Sequence, residues 1–204
     1  PGEYFLLMTE STFGSLEERP PVEMQRTLLA GTVLQLKALG IDNVLRFDYV
    51  SPPPPEHLAL ALEQLYALGA LDEDGNLTKP IGEQLAHLPL RPELGAALLA
   101  SVREGCVGAM LSVAAMLAAP SPFAPTRPHD AVATRAPFAA LEGDAVTLYN
   151  VYLAFQHHNQ RGATAAPEWC RRNRLSIAAL RQAARVRSAL WRQLRRFGIE
   201  TDGA

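Results

Sequence analysis

The chain has 204 residues, 48% hydrophobic and 20% charged, which is ordinary composition for a folded domain or a few small packed modules. No apolar run reaches the length of a membrane span, and the N-terminus lacks the basic region and cleavage site of a signal peptide. The net charge of −2 hides an asymmetry: residues 1–144 carry 9 Lys and Arg against 18 Asp and Glu, whereas residues 145–204 carry 10 against 3. Nine arginines and no acid lie between Arg171 and Arg196. A segregated basic end suits a phosphate backbone or an acidic partner, and it equally suits a solvated helix face packed on the acidic half. Cys106 and Cys170 lack ligand-like spacing and read as reduced thiols.

In chain order, Tyr4–Met8 is an apolar run that predicts a buried strand. Residues 12–18 predict a short helix stopped at Pro20-Pro21. Residues 28–39 predict a helix with Leu29, Val33, Leu36 and Leu39 on one stripe and Gly40 as its stop. Pro52–Pro55 form a stiff extended spacer and a module boundary. A helix over 56–68 should turn Leu58, Leu62, Leu65 and Tyr66 inward and stop at Gly69. Asp74-Gly75 between short apolar arms predicts a hairpin at 70–78, followed by a short helix at 80–85. Helix, hairpin and helix together read as a small winged helix.

From Pro92 the pattern is all-helical. Helices are expected at 92–103 and 107–118, then a proline-rich loop at 119–137. Another helix should span 144–158 with Asp144 as N-cap, and a short one should begin at Pro167. The last helix, over 176–197, places Arg174, Arg181, Arg185, Arg192 and Arg196 on one side. Leu180, Ala183, Ala184, Leu190, Trp191, Leu194 and Phe197 take the other. Arg187 falls inside the apolar side, where an unpaired charge is costly, so it is either paired, with Asp144 as the candidate partner for a structural lock, or lines an interface. Thr147, Asn150 and His158 share a polar side, opposite Leu148, Tyr152 and Phe155. Trp169 reads as core. No phosphate-cradling loop, dinucleotide fingerprint, zinc-protease motif or nucleophile elbow is present, and no catalytic residue or metal site is assigned.

Several segments in one order resemble the DEAH-box RNA helicase family. They are Glu23–Thr27, the Leu34–Asn43 stretch, Phe47 with Pro52–Pro54, Ala61–Leu71, Gly143-Asp144 through Tyr152, and Trp169-Cys170 with Asn173. The finer pattern is most similar to the subgroup associated with late spliceosomes. The resemblance implies a mainly α chain with minor β. Residues 1–46 would be the strand-and-helix tail of a second RecA-like domain, and 47–91 the winged helix. Residues 92–197 would be the helical-bundle or ratchet domain and 198–204 a tail, without the OB-fold. It further implies a piece of a longer protein. Its function would be the C-terminal cassette of an ATP-dependent RNA helicase, guiding single-stranded RNA and coupling to RecA motion in nuclear pre-mRNA splicing. ATP and Mg would bind the parent protein and no cofactor this piece. Implied partners are single-stranded RNA, spliceosomal proteins and a G-patch-type activator, with no membrane. A docking platform for that activator is the alternative role, with Leu58, Leu62 and Leu65 as docking candidates. RNA-contact candidates are Arg127, Thr147, Asn150, Arg171, Arg172 and Asn173. The chain departs from the family pattern at Ala124, Ala145 and Ser176-Ile177-Ala178, with Arg127 as the substitute for an arginine common near Phe123.

Overall fold

The computed structural model describes residues 2–16, 28–123 and 128–199, the side chains of 128–131 excepted. The expected stop at Pro20-Pro21, the Glu23–Thr27 segment and Arg127 lie outside the described residues.

The chain is helical almost throughout: α1 (Glu10–Gly14), α2 (Ala30–Ala38), α3 (Pro55–Ala67), α4 (Ile81–His87), α5 (Pro92–Ala100), α6 (Val107–Ala118), α7 (Pro128–Arg135), α8 (Asp144–Asn159), α9 (Ala165–Arg172) and α10 (Ile177–Arg196). Short 3-10 turns occupy Val44–Arg46 and Ala136–Phe138. The β component is reduced to two isolated antiparallel bridges, Leu71 with Leu77 and Phe123 with Leu175.

The N-terminal half builds one core. Pro55 takes the first position of α3, where its missing N–H costs nothing, and Gly69 ends the helix with φ +71°. The hairpin then closes as the Asp74-Gly75 signal predicts. Near the tip Asp72 N–H donates to the Asn76 carbonyl at 2.9 Å and Asn76 N–H donates to the Asp72 carboxylate at 2.7 Å, and Thr78 N–H donates to the Ala70 carbonyl at 3.0 Å. The Thr78 hydroxyl donates to the Gly69 carbonyl and accepts from Gly82 N–H, which ties α4 to the turn. α2 packs on α3 and α4, and Gln35 donates to the Ala86 carbonyl at 2.8 Å. Leu29, Val33 and Val44 therefore share a core with Leu58, Leu65 and Leu85, so packing continues across the expected boundary at residue 46.

The C-terminal half is a helical bundle around α6. VGAMLSVAAMLA carries no charge, and an apolar helix of that kind must be covered on several sides. α5, α8 and α10 all pack on it. α6 and α10 run antiparallel: Met116 shares a core with Leu180 and Ala183, while Val107 and Leu111 share the other with Leu190 and Leu194. α10 spans 20 residues, roughly 30 Å, and thereby bridges both cores.

Three sequence expectations are corrected. Tyr4–Met8 forms no strand: its side chains are exposed, Leu7 at 99%, because the described residues offer no neighbouring strand to pair with it. Leu39 is exposed and Ala30 and Leu34 are buried instead, so the inward face of α2 is turned from the predicted stripe. The stretch 119–137, expected to be a loop, contains α7 and a 3-10 turn, since Pro128 and Pro137 fall in first turns, where proline is tolerated.

Candidate nucleic-acid interface

The basic end of the sequence becomes one continuous arm. Ser176 caps α10, its hydroxyl accepting from Ala179 N–H at 3.2 Å, and its own N–H donates to the Pro122 carbonyl at 2.7 Å. That second bond pins the start of α10 to the end of the α6 loop. From there, Arg181, Arg185, Arg192 and Arg196 are exposed along α10, opposite the buried Leu180, Ala183, Leu190 and Leu194. Arg181 to Arg196 covers about 22 Å of helix axis. Neutral partners hold several of these guanidinium groups. Gln182 accepts from Arg185 Nε and Nη2, Gln193 accepts from Arg196 Nη1, and Arg195 lies 4.8 Å from the Trp191 ring centroid. Such contacts orient the charges without neutralising them, so the arm keeps its positive field. Arg195 and Arg196 also sit in the last turn of α10, where the helix dipole favours cations.

α9 extends the arm. Arg171 and Arg172 are exposed in its last turn, and Arg172 pairs with Glu168 at 3.2 Å. Asn173 is half-buried and its side chain donates to the Trp169 carbonyl at 2.9 Å, which closes the end of α9. Trp169 packs edge-on against Phe138 and stacks on His158 with centroids 5.1 Å apart, leaving it half-buried in the second core. Burial holds the His158 pKa below the ordinary histidine value, and His157, Arg161 and Arg172 push in the same direction.

The polar side of α8, expected to face either an RNA channel or solvent, is turned inward at Thr147 and half-buried at Asn150 and His158. Thr147 is 7% exposed; its hydroxyl accepts from Ala140 N–H at 3.0 Å and donates to the Gly143 carbonyl at 3.1 Å. Asn150 donates to the Phe138 carbonyl at 3.1 Å. Both side chains fasten the 136–143 segment onto α8, whose backbone groups would otherwise be orphaned. Thr147 is thus buried in this fastening role, while Asn150 is half-buried. Asp144 is the first residue of α8, with Gly143 in the cap position at φ +115°, so the N-cap assignment shifts by one. Asp144 is exposed and makes no ion pair with Arg187. Arg187 is half-buried and its Nε donates to the Ser112 hydroxyl at 3.0 Å. The expected lock fails because α10 packs on α6 rather than against the start of α8.

The docking candidates also move. Leu58 and Leu65 are buried in the first core, Leu65 completely, so neither can meet a partner. Leu62 is half-buried, and the exposed apolar side chains of α3 are Leu60 and Tyr66. Leu62, Tyr66 and Leu71 line a cleft of about 450 Å³ whose rim carries Glu63, Asp72, Glu73 and Asp74. Among the described residues no group of His, Cys, Asp and Glu could hold a metal ion, and no helix is long and apolar enough to cross a membrane.

Two family models fall on these two halves. Residues 61–90 match the helicase associated domain HA2, winged-helix, and residues 91–148 match the helicase associated domain HA2, ratchet-like. The chain carries the helicase-associated region of DEAH-box RNA helicases. It is 43% identical over 200 residues to the probable ATP-dependent RNA helicase DHX35 of Pongo abelii, covering 97% of this chain and 27% of that protein. It is 42% identical over 202 residues to a DHX35 homolog of Caenorhabditis elegans, covering 98% of this chain and 27% of the relative. The pre-mRNA-splicing factor ATP-dependent RNA helicase prp22 of Schizosaccharomyces pombe is 38% identical over 200 residues, 97% of this chain and 17% of its own length. The chain thus spans about a quarter or less of the length of these relatives. In this helicase-associated region the inward-turned Thr147 and Asn150 and the outward arginines of α9 and α10 redistribute the polar surface that the sequence suggested.

Proposed function

We propose that this chain is the C-terminal cassette of an ATP-dependent RNA helicase, guiding single-stranded RNA and relaying the motion of the nucleotide-hydrolysing domains. ATP and Mg would bind the parent protein outside the cassette. The observation that carries this reading is the arginine arm of α9 and α10, with no acid between Arg171 and Arg196, Glu168 just before it paired with Arg172, and guanidinium groups oriented by neutral glutamines. The names of the relatives support the helicase context, and the name of the fission-yeast relative supports pre-mRNA splicing, hence a nuclear protein working among spliceosomal proteins. Residues 47–91 and 92–197 would serve as its winged-helix and ratchet modules, preceded by the RecA-like tail over 1–46.

The test is fluorescence anisotropy of a labelled oligouridylate with the chain across a salt series. Binding should be weak, indifferent to base sequence, and steeply reduced by salt, because each phosphate contact on a single strand contributes a slope of about −0.7. The combined Arg181→Glu, Arg185→Glu and Arg192→Glu variant should lose roughly two units of that slope. A sequence-selective nanomolar complex at physiological salt, or an unchanged slope in the variant, would contradict the proposal.

A second reading is favoured by the cleft on α3. Its apolar floor and acidic rim suit a basic amphipathic segment, such as that of a G-patch-type activator, seated in a groove. Tyr66→Glu should weaken such a complex while leaving RNA binding intact; a complex indifferent to Tyr66 and Leu62 would reject this cleft.

A further inference from the structure

Arg187 is set apart from the arm. It projects from the apolar side of α10, over the middle of α6, where the two cores meet. Its Nε is committed to the Ser112 hydroxyl, which in turn donates to the Gly108 carbonyl at 3.2 Å. Ser112 is almost fully buried, so this anchor is rigid and fixes the plane of the guanidinium. The two terminal nitrogens have no protein acceptor among the described residues. Tyr152 of α8 lies within the electrostatic reach of Arg187; its oxygen accepts from Gln156 at 3.3 Å.

The surrounding helices offer this group no counter-charge. α6 and α10 contain no acidic residue, and the single acid of α8 is the exposed Asp144 at its far end. A half-buried guanidinium with an anchored Nε and two open terminal nitrogens presents an end-on fork to an external oxyanion. The wall beside it is apolar, with Val186 and Leu190 on α10 and Leu148 on α8 packed into the cores. Such a fork fits a carboxylate or a phosphodiester, and the RNA-guiding reading above selects the phosphodiester.

We infer that Arg187, anchored by Ser112, is a phosphodiester-binding residue, so that RNA contacts α10 at Arg187 as well as along its outer arm. This rests on the RNA-guiding reading above and adds a contact point that the charge pattern of the arm does not contain.

The experiment repeats the oligouridylate salt series with Arg187→Gln, Arg187→Lys and Ser112→Ala in the 204-residue chain, alongside thermal melting of each. Arg187→Gln should bind several-fold more weakly at low salt and lose about 0.7 of the salt slope, one phosphate contact. Arg187→Lys should keep the slope while losing affinity, because a point charge replaces the fork. Ser112→Ala should behave the same way, since the charge remains but its anchor is gone; these two variants carry the test if Arg187→Gln fails to fold. Wild-type affinity and slope in a folded Arg187→Gln, or in both other variants, would overturn the inference. So would Arg187-dependent binding of poly-glutamate with RNA binding intact, which would assign the fork to a protein carboxylate. Absence of RNA binding by the unaltered chain would instead overturn the RNA-guiding reading itself.

Discussion

Thr147 and Asn150 decide how much of α8 is available to a ligand. Replacing Thr147 with Val keeps the shape and removes the hydroxyl, which orphans the Ala140 N–H. We expect a loss of about 1–3 kcal/mol in denaturant unfolding and no change in RNA affinity; unchanged stability with weakened binding would restore Thr147 as a contact. Arg187→Ala removes one charge-assisted bond from a half-exposed group and should cost only about 1 kcal/mol, far less than a broken buried ion pair. His158 gives a pH signature. Its folded-state pKa is lowered, so the folded protein binds fewer protons than the unfolded chain below the ordinary value of about 6.5. That stability is present above this pH and is lost as pH falls. The melting temperature should decline on acidification, and His158→Gln should flatten the decline; an identical pH dependence in the variant would remove His158 from the account. These residues also mark the limit of sequence reading. Periodicity placed Thr147 and Asn150 on one side of α8 correctly, but nothing local told that the 136–143 segment folds back over that side. Arg187 was legible as an anomaly because a charge interrupts an apolar stripe; its partner was not, since the choice between Asp144 and Ser112 depends on which helix α10 packs against.

At the scale of elements, α4 stands close against the hairpin. A Cβ added at Gly82 would stand 2.3 Å from the Ala70 carbonyl oxygen and 3.0 Å from the Thr78 hydroxyl, so backbone would have to move. Gly82→Ala should therefore cost about 1–3 kcal/mol by thermal or chemical unfolding. At Gly95 the obstructing atom is the end of the Leu85 side chain at 2.9 Å, which can rotate, and Gly95→Ala should cost less. Equal costs would refute the rigidity assigned to the hairpin. Most helices were legible because local signals agree with packing: Pro92 at a helix start, Gly40 and Gly69 past helix ends. The exceptions have a physical origin. Tyr4–Met8 has strand composition, but a strand is a pairing and not a property of one segment. α7 was concealed by prolines that a helix admits in its first turn.

Across the whole molecule, the acidic first half and the cationic last helices sit on one framework held by α6 and α10. Both cores share those two helices, so the arm on α10 is braced at each end against the rest of the cassette. A braced cationic rod is consistent with the proposed RNA-guiding role. The chain carries no phosphate-cradling loop motif, and the purified cassette is expected to leave ATP unhydrolysed with or without RNA; phosphate release above a buffer blank would contradict this. Charge segregation, the feature most relevant to function, was readable from the sequence, whereas the exposure of the arm required the burial of its opposite face to be seen. The most direct test of the central claim is photo-crosslinking of a thiouridine-substituted RNA to the cassette, followed by peptide mapping. The account predicts crosslinks concentrated in residues 171–196, and crosslinks confined to the acidic half, with none on α9 or α10, would contradict it.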